Sequence, residues 1–435
     1  MTLDNEETLY FANASLGTPP QELRLHVDTG SSDLWTNSAL SDVCQLRGDP
    51  CAESGTYNAN RSTSYRYVSS DFNISYQDGS AALGDYARDT IRMGQTNLAG
   101  LQFGIGYRSS SQQSILGIGY SANEVQVNRN GKEPYANLPQ LMKDEGLIRS
   151  VAYSLWLNDL DASTGSILFG GVNTDKFRGP LQTLPIQTSR TRSAPSEFVI
   201  TLTGVSFNQG GNQREMGGSD REDPVLLDSG SSLMYLPNEV VSDIYDAIDA
   251  EYDQEHGNAY VACSIANNDA TLRFTFTSPS IDVPMNELVI DPGQNRDGSR
   301  PALSDGTTPA CLFGIAPAGD GTSVLGDTFL RSAYVVYDLS NNQISIAQTN
   351  FNATTDNIRE IGTGSGAVPD ATLVPNVKAS SPTQYVGGRL GGAGTTGIAT
   401  GALSSPTDSA GLVEAAPGPR YMMAGLAGAA VLMAL

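Results

Sequence analysis

The sequence predicts an all-β protein of two similar lobes with a few short helices, followed by a disordered C-terminal stalk. The main observation is a repeat: residues 25–35 and 225–235 each contain an apolar run, then Asp-Thr/Ser-Gly-Ser-Ser, then an apolar or aromatic run. A second repeat follows each copy, because residues 115–117 and 324–326 both read Ile/Val-Leu-Gly. Much of the surrounding sequence reads as short strands separated by glycine-containing turns. The order of the two signals is therefore duplicated, as expected for two homologous lobes that share a cleft.

The length of 435 residues exceeds what a single hydrophobic core usually supports. We expect the first lobe over residues 1–184 and the second over 185–351, with the boundary in a Thr-, Ser-, Arg- and Pro-rich stretch at 185–196. Beyond residue 351 Gly, Ser, Thr, Ala and Pro dominate, which predicts a flexible stalk over 352–420 and a separate apolar tail over 421–435.

Four segments inside the lobes carry clear local signals. Residues 9–27 alternate apolar and polar around a Gly-Thr-Pro-Pro turn, which predicts a hairpin. Residues 65–106 predict another hairpin, polar at its tip and aromatic at its shoulder, which is a candidate mobile flap. Residues 137–146 and 238–255 are the best helices, the first with Pro near its start and Gly at its end.

Asp28 and Asp228 are the candidate catalytic residues. Each follows a predicted buried strand and precedes small residues that favour a tight turn, so each carboxyl is held at the end of a rigid element. If the two turns meet, both carboxyls cannot ionise cheaply, and the pair shares one proton and titrates over an acidic range. The ionised member could then accept a proton from a bound water while the protonated member polarises a carbonyl oxygen. This chemistry fits peptide hydrolysis without a metal or a covalent intermediate.

Small residues beside each aspartate are expected to support the pair. Gly30 and Gly230 let the backbone approach closely, and Ser31 and Ser231 are placed to hydrogen-bond the carboxyls.

The composition excludes several classes of function. With 47 acidic and 25 basic residues the formal net charge is −22, and we find no Lys/Arg clusters of the kind that contact nucleic-acid phosphates. The sequence also has no Cys-x-x-Cys motif and no histidine cluster, so we predict neither a metal site nor a cofactor.

The cysteines and sequons suggest a secreted protein. Four cysteines allow three pairings, of which we expect Cys44–Cys51 and Cys263–Cys311, one within each lobe. Asn-x-Ser/Thr sequons begin at Asn13, which falls in a predicted strand, and at the three residues expected to be glycosylated: Asn60, Asn73 and Asn352.

The tail carries the pattern of a glycolipid (GPI) anchor signal. Residues 421–435 form an uncharged, largely apolar run shorter than the ~20 residues that a membrane-spanning helix needs. A small-residue triad that begins at Ser409 and a short spacer precede it, which matches the signal. We expect attachment at Ser409, with Ser404, Ser405 and Gly411 as alternatives.

No secretion leader is visible in residues 1–4, so we expect upstream sequence to be missing.

Taken together, these residues resemble the pepsin-like aspartic endopeptidases, and within them the fungal yapsin and candidapepsin group. The resemblance spans roughly residues 9–349 and is carried by the two Asp-x-Gly motifs, Trp35, Tyr76, Asp78, Gly79, residues 115–117, 168–172 and 324–326. It implies a bilobal double-barrel fold with a central cleft and Asp28 and Asp228 as the catalytic dyad. It also implies that Tyr76 closes over a polypeptide substrate and hydrogen-bonds toward Trp35. With the anchor signal it implies an extracellular enzyme at the cell surface, anchored to the plasma membrane or in the cell wall, which we expect to be a monomer.

Two residues leave the substrate preference open. His26 stands where relatives generally have an aliphatic residue, and it either lines the cleft beside the dyad or packs at the cleft floor against a backbone carbonyl. A cationic His26 would disfavour basic substrate residues, whereas Asp78 at the flap tip would attract them.

One further feature departs from the family pattern: no propeptide is visible before residue 9.

The sequence leaves three alternatives to a peptidase. A catalytically inactive pepsin-fold binding protein would be expected to have lost an aspartate or an Asp-x-Gly motif, and both copies are intact. A glycosidase also uses two carboxylates but does not explain the matched motifs. A wall protein whose function lies in the stalk would be expected to show a strict stalk repeat, which is missing.

Overall fold

The computed structural model describes residues 1–188, 194–295 and 298–380, and strands dominate these ranges, as predicted. The strands of the first part are β1 Thr2–Asn5, β2 Tyr10–Leu16, β3 Gln21–Asp28, β4 Leu34–Asn37, β5 Arg66–Ser75, β6 Ala81–Met93, β7 Thr96–Ser109, β8 Ser114–Gly117, β9 Ala152–Trp156, β10 Thr164–Phe169, β11 Gly171–Asn173 and β12 Phe177–Pro185. Those of the second part are β13 Val199–Leu202, β14 Gly204–Gln209, β15 Asn212–Glu215, β16 Asp223–Leu227, β17 Met234–Leu236, β18 Glu251–Asp253, β19 Asn258–Ala262, β20 Thr271–Thr275, β21 Ser280–Pro284, β22 Val289–Ile290, β23 Ala310–Phe313, β24 Ile315–Pro317, β25 Ser323–Leu325, β26 Ala333–Asp338, β27 Gln343–Thr349, β28 Ile358–Glu360 and β29 Ala371–Leu373. The α-helices are α1 Val125–Asn130, α2 Leu138–Asp144, α3 Asn238–Ile248 and α4 Asp327–Leu330.

One large sheet joins the two halves of the chain. Its order is β29-β12-β27-β26-β9-β10-β1-β2-β3-β8-β4-β7-β6-β5. Strands β26 and β27 come from the end of the second predicted lobe, yet β26 pairs with β9 of the first, with Val335 opposite Leu155. The remaining second-lobe strands form three smaller sheets, in the orders β13-β16-β25-β17-β24, β15-β14-β20-β21 and β18-β19-β23-β22.

The sequence repeat produces the same local strand arrangement in each lobe. Strand β3 runs parallel to β8, with Asp28 opposite Gly117, and β4 pairs antiparallel with β8. In the second lobe β16 runs parallel to β25, with Leu227 opposite Leu325, and β17 pairs antiparallel with β25. Each Asp-containing turn therefore leaves the end of a buried strand and returns beside the Leu-Gly segment.

The predicted hairpins are present, and one predicted helix is too long. Strands β2 and β3 form the first hairpin and β5 and β6 form the flap hairpin. Helix α3 ends at Ile248 instead of residue 255, because Asp249 adopts the left-handed conformation that ends helices. Tyr252 then lies on β18, so its helical spacing in the sequence was misleading.

The predicted stalk is wrong over residues 352–380. Strand β28 pairs with β11, and β29 runs parallel to β12 at the edge of the large sheet. Ile361, Val368 and Val374 are buried, so a few well-spaced apolar residues suffice to hold a segment of low average hydrophobicity against a sheet. We call residues 352–380 the strap. The rest of the predicted stalk, Ser409 and the tail over 421–435 lie outside the described residues.

The cysteines pair as predicted, Cys44 with Cys51 and Cys263 with Cys311. Of the sequon residues, Asn60 and Asn352 are exposed, while Asn73 lies partly buried on β5. Within the described ranges no helix is both long and apolar enough to cross a membrane.

Candidate active site

The two repeated turns meet at the centre of the molecule. Asp28 and Asp228 are both fully buried, and their carboxyl groups are hydrogen-bonded to one another. Gly30 makes this contact possible, because a Cβ atom there would lie only 2.5 Å from Oδ1 of Asp228. A pair of acidic side chains, one from each half of the chain, is therefore in direct contact.

Matching donors surround each carboxyl group. The backbone amide of Gly30 donates to Oδ1 of Asp28 at 2.8 Å, and that of Gly230 donates to Oδ1 of Asp228 at the same distance. The hydroxyl of Ser31 donates to Oδ2 of Asp28, and the hydroxyl of Ser231 donates to Oδ2 of Asp228. The four residues expected to support the pair all contact it.

The electrostatics of the pair favour its retaining a proton. Burial, followed by the negative charge of Asp228, raises the pKa of Asp28 well above its ordinary value. Burial also raises the pKa of Asp228, while the Ser231 hydroxyl and the Gly230 amide act in the opposite direction. Because the carboxyl groups touch, their protons are lost in two coupled steps that belong to the pair.

A reciprocal set of hydrogen bonds joins the two turns below the carboxyls. The amide of Thr29 donates to the Ser229 hydroxyl at 3.2 Å, and the amide of Ser229 donates to the Thr29 hydroxyl at 3.0 Å. The same hydroxyls donate across to the carbonyl oxygens of Leu227 and Val27. We did not predict this role for Thr29 and Ser229, although a hydroxyl residue at the middle of both motifs was the available signal.

The flap hairpin carries the other predicted site residues. The indole nitrogen of Trp35 donates to the hydroxyl of Tyr76 at 2.7 Å, and both side chains are buried. Asp78 and Gly79 lie exposed at the tip, where Asp78 accepts from the amide of Ser80. Burial and then the charge of Asp78 raise the pKa of Tyr235, so the tip lies within electrostatic reach of the second lobe.

His26 is packed inside the protein. It is fully buried, its ring centroid lies 5.6 Å from that of Phe11, and it lies beside the backbone of Ser229. Among the described residues neither ring nitrogen has a hydrogen-bond partner of good geometry. Burial lowers the pKa of His26 to about 4, so the ring is largely neutral at pH values above this.

A third buried carboxyl near the pair, Asp327, was not predicted. It directly follows the second Leu-Gly segment, and neither of its oxygens has a partner within the ranges that the structure describes. Burial raises its pKa well above the ordinary value, the Arg331 charge opposes this, and the charges of Asp228 and Asp28 add to the rise. Among the described residues no group of three or more acidic, histidine or cysteine side chains is placed to hold a metal ion.

Comparison with known proteins gives one consistent family. A family model described as eukaryotic aspartyl protease matches residues 9–349. The probable aspartic-type endopeptidase opsB of Aspergillus oryzae is 54% identical over 440 residues, covering 99% of this chain and 87% of that protein. Aspartic proteinase yapsin-3 of Saccharomyces cerevisiae is 34% identical over 386 residues, covering 86% and 72% of the two chains. The crystal structure of an aspartic proteinase from Irpex lacteus is similar with a TM-score of 0.63 at 19% identity, covering 82% of this chain and 99% of that one.

Proposed function

Because the chain belongs to the eukaryotic aspartyl protease family and is an aspartic-type endopeptidase, we propose that Asp28 and Asp228 are its catalytic pair. The observation that carries this assignment is the direct contact between two buried carboxyls held by matched donors from two equivalent turns. The intact pair and the relatives named as endopeptidases give no support to an inactive binding protein.

The pair supplies both acid and base. In the singly protonated state the ionised carboxylate accepts a proton from a water molecule, whose oxygen attacks the carbonyl carbon of the substrate. The protonated carboxyl donates its proton to the carbonyl oxygen, which gives a neutral tetrahedral diol. The carboxyl that took the water proton then donates it to the peptide nitrogen, while the other carboxylate accepts a proton from a diol hydroxyl; the carbon–nitrogen bond breaks, an acid and an amine are released, and the pair again holds one proton. Because burial raises the pKa of both aspartates, the pair keeps one proton above the ordinary carboxyl range, and loss of that proton sets the upper limit of the working pH.

The flap favours a substrate with a basic side chain near the scissile bond. Asp78 places an exposed carboxyl at the flap tip. His26, which would oppose a basic residue if it were cationic, is buried and has its pKa lowered to about 4. Asp78 is therefore the acidic group at the flap tip; burial raises its pKa while its hydrogen bonds with Ser80 oppose the rise, so its attraction for a basic residue should strengthen as the pH rises. Asp78→Asn should lower kcat/KM for Lys- or Arg-containing peptides more than for apolar ones, and an equal change for both would contradict this preference.

The decisive experiment on the catalytic pair compares Asp28→Asn, Asp228→Asn and the parent on an unfolded protein substrate at acidic pH. Each variant should lose on the order of 10²–10⁴-fold in kcat, because one of the two proton-transfer groups is gone. A statine-type transition-state mimic should inhibit the parent.

The same variants also test the raised pKa values. They should be more stable than the parent at neutral pH and similar at pH 3, because an aspartate with a raised folded-state pKa destabilises the fold only as the pH rises through that value. A variant that retains turnover would refute the assignment.

We further propose that the enzyme is a glycoprotein held at the cell surface by a glycolipid attached at Ser409. The signal pattern at residues 409–435 and the exposure of Asn60 and Asn352 support this. A phosphoinositide-cleaving lipase should release the full chain from membranes, while a chain ending at residue 380 should appear directly in the medium. Retention of the lipase-treated protein by the membrane would count against the anchor.

A further inference from the structure

A buried polar cluster lies behind the flap, and it is separate from the catalytic pair. Its centre is Asp33, which is 1% exposed and lies five residues after Asp28. The hydroxyls of Tyr86 and Tyr135 each donate to its Oδ1 at 2.8 Å, and the amide of Val125 donates to its Oδ2 at 2.9 Å. One carboxyl group thus joins three segments: the Asp28 turn, strand β6 of the flap hairpin, and residues 124–135.

A second buried acid completes the cluster without adding a second charge. Glu124 is fully buried, its Oε2 accepts from the amide of Tyr135 at 2.8 Å, and its Oε1 has no partner in the described part of the chain. Burial, followed by the charge of Asp33, raises the pKa of Glu124 to about 10. Glu124 is therefore a neutral acid over the pH range in which the protein works, and the three donors converge on Asp33.

The cluster is connected to both strands at the base of the flap. Tyr86 lies on β6, and on β5 the Ser75 hydroxyl accepts from Nη2 of Arg129 at 2.8 Å. Further along β5, Asp71 accepts from the side chains of Asn130 and Lys132. Residues 124–132 thus contact one strand of the hairpin while Asp33 is bonded to the other.

The same cluster is linked to the tyrosine that covers the cleft. Trp35 follows Asp33 by two residues, and its indole donates to the hydroxyl of Tyr76, the residue after Ser75. The rings of Phe72 and Tyr86 pack edge to face with their centroids 5.2 Å apart, and the centroids of the Phe72 and Trp35 rings are 6.3 Å apart. The path from Asp33 to Tyr76 consists of buried, directly contacting groups.

We propose that Asp33 is a positioning residue for Tyr76, which it serves by joining the Asp28 turn, the base of the flap and residues 124–135 into one rigid unit. This role rests on the proposed catalytic pair and flap, and it adds a residue to which neither the motif nor the chemistry of the dyad assigns any part. Asp33 touches neither substrate nor dyad in this role. Its effect reaches the reaction through the placement of Trp35 and Tyr76.

The test begins with Asp33→Asn, which keeps the shape of the side chain. An asparagine has one acceptor oxygen and an amide that can only donate, so it cannot accept from Tyr86, Tyr135 and Val125 together. We expect kcat/KM per folded molecule to fall about tenfold, and a statine-type inhibitor to bind about tenfold more weakly. In a Trp156→Phe background, the emission of Trp35 should shift to the red as its contact with Tyr76 loosens. Unchanged kcat/KM, inhibitor affinity and emission would overturn the proposal, as would a loss of thermal stability alone.

Matched variants separate positioning from general damage. Tyr86→Phe and Tyr135→Phe each remove one donor and should each lower kcat/KM several-fold. Tyr67→Phe removes a hydroxyl from the same hairpin, whose hydrogen-bond partner in the described part of the chain is Ser70 at an exposed position, and should have no effect. Glu124→Gln replaces a neutral acid by a neutral amide and should preserve most activity, whereas Glu124→Leu should not. An effect of Tyr67→Phe as large as that of Tyr86→Phe would contradict the proposal. Because Asp228→Asn tests the catalytic pair independently, failure of one proposal is distinguishable from failure of the other.

Discussion

The two catalytic turns have the same backbone arrangement, yet several charged or titratable residues around them have no counterpart in the other lobe. Aligning Asp28 with Asp228 places Asp33 against Leu233 and His26 against Leu226, while the Leu-Gly segments align Ile118 with Asp327. Both lobes bury an additional carboxyl close to the dyad, but at different places. In the first lobe three donors converge on Asp33, and in the second Asp327 has no donor within the described residues.

This difference shows two ways of accommodating a buried acid. Burial raises the pKa of both acids; at Asp33 the three hydrogen-bond donors oppose the rise, whereas at Asp327 only the charge of Arg331 opposes it. The shared elements, namely the glycine amides, the serine hydroxyls and the cross-lobe bonds, are those that contact the reacting carboxyls. Symmetry is thus retained at the dyad and lost around it. Substitutions that make one lobe resemble the other, or that remove what one lobe alone possesses, test this conclusion.

The largest effect is expected at an ion pair found beside the second turn. Arg331 is fully buried, and its Nε donates to Oε2 of the equally buried Glu287 at 2.6 Å, while the corresponding first-lobe position is Ala122. Arg331→Met leaves the Glu287 carboxylate unpaired and should reduce the free energy of unfolding by about 3–5 kcal/mol. Urea unfolding monitored by circular dichroism measures this loss.

An exposed ion pair provides the control for that measurement. Arg300 and Asp291 lie 3.2 Å apart with both side chains more than half exposed, so Arg300→Met should cost less than about 1 kcal/mol. The double variant Arg331→Met/Glu287→Leu should recover much of the loss, because no buried charge is then left alone. Equal losses of unfolding free energy for Arg331→Met and Arg300→Met would show that the buried pair stabilises the protein no more than the exposed pair does.

An intermediate, pH-dependent effect is expected at His26. Its pKa falls from 6.5 to about 4 on folding, so the unfolded chain binds a proton first and stability is lost as the pH drops from 6.5 to 4. The difference corresponds to about 3 kcal/mol at pH 4. His26→Leu, which copies Leu226, should match the parent at pH 7.5 and be more stable at pH 4 by thermal unfolding. The exposed His256 serves as the control, since His256→Gln should give no such gain; a His26→Leu curve parallel to the parent at all pH values would contradict the prediction.

The smallest effect under acidic conditions is expected at Asp327. Because its pKa is raised in the folded state, the stability that it contributes is present at low pH and is lost as the pH rises through the folded-state value. Asp327→Asn replaces a neutral acid by a neutral amide, so melting temperatures should agree at pH 3 and should favour the variant at pH 7. A variant that is less stable than the parent at pH 3 would mean that Asp327 is ionised there.

Much of the fold and the centre of the site were predictable, because the signals were local and occurred twice. Asp28, Asp228 and their supporting glycines and serines lie in strand–turn motifs whose geometry follows from adjacent residues. The contacts of Asp33 were not predictable, because its donors come from positions 86, 125 and 135, which only the fold brings together. The strap was missed for a related reason: its average composition is that of a linker, and a few apolar residues decide its structure.

The reciprocal bonds between Thr29 and Ser229 have a consequence for how a polypeptide enters. These hydrogen bonds join the two lobes at the floor of the cleft. The lobes cannot separate there without breaking bonds to backbone amides and carbonyl oxygens. The base of the flap is held as well, by the donors to Asp33 and by the hydrogen bond from Trp35 to Tyr76. A long polypeptide must therefore enter between a floor that both lobes hold together and a flap that is held at its base.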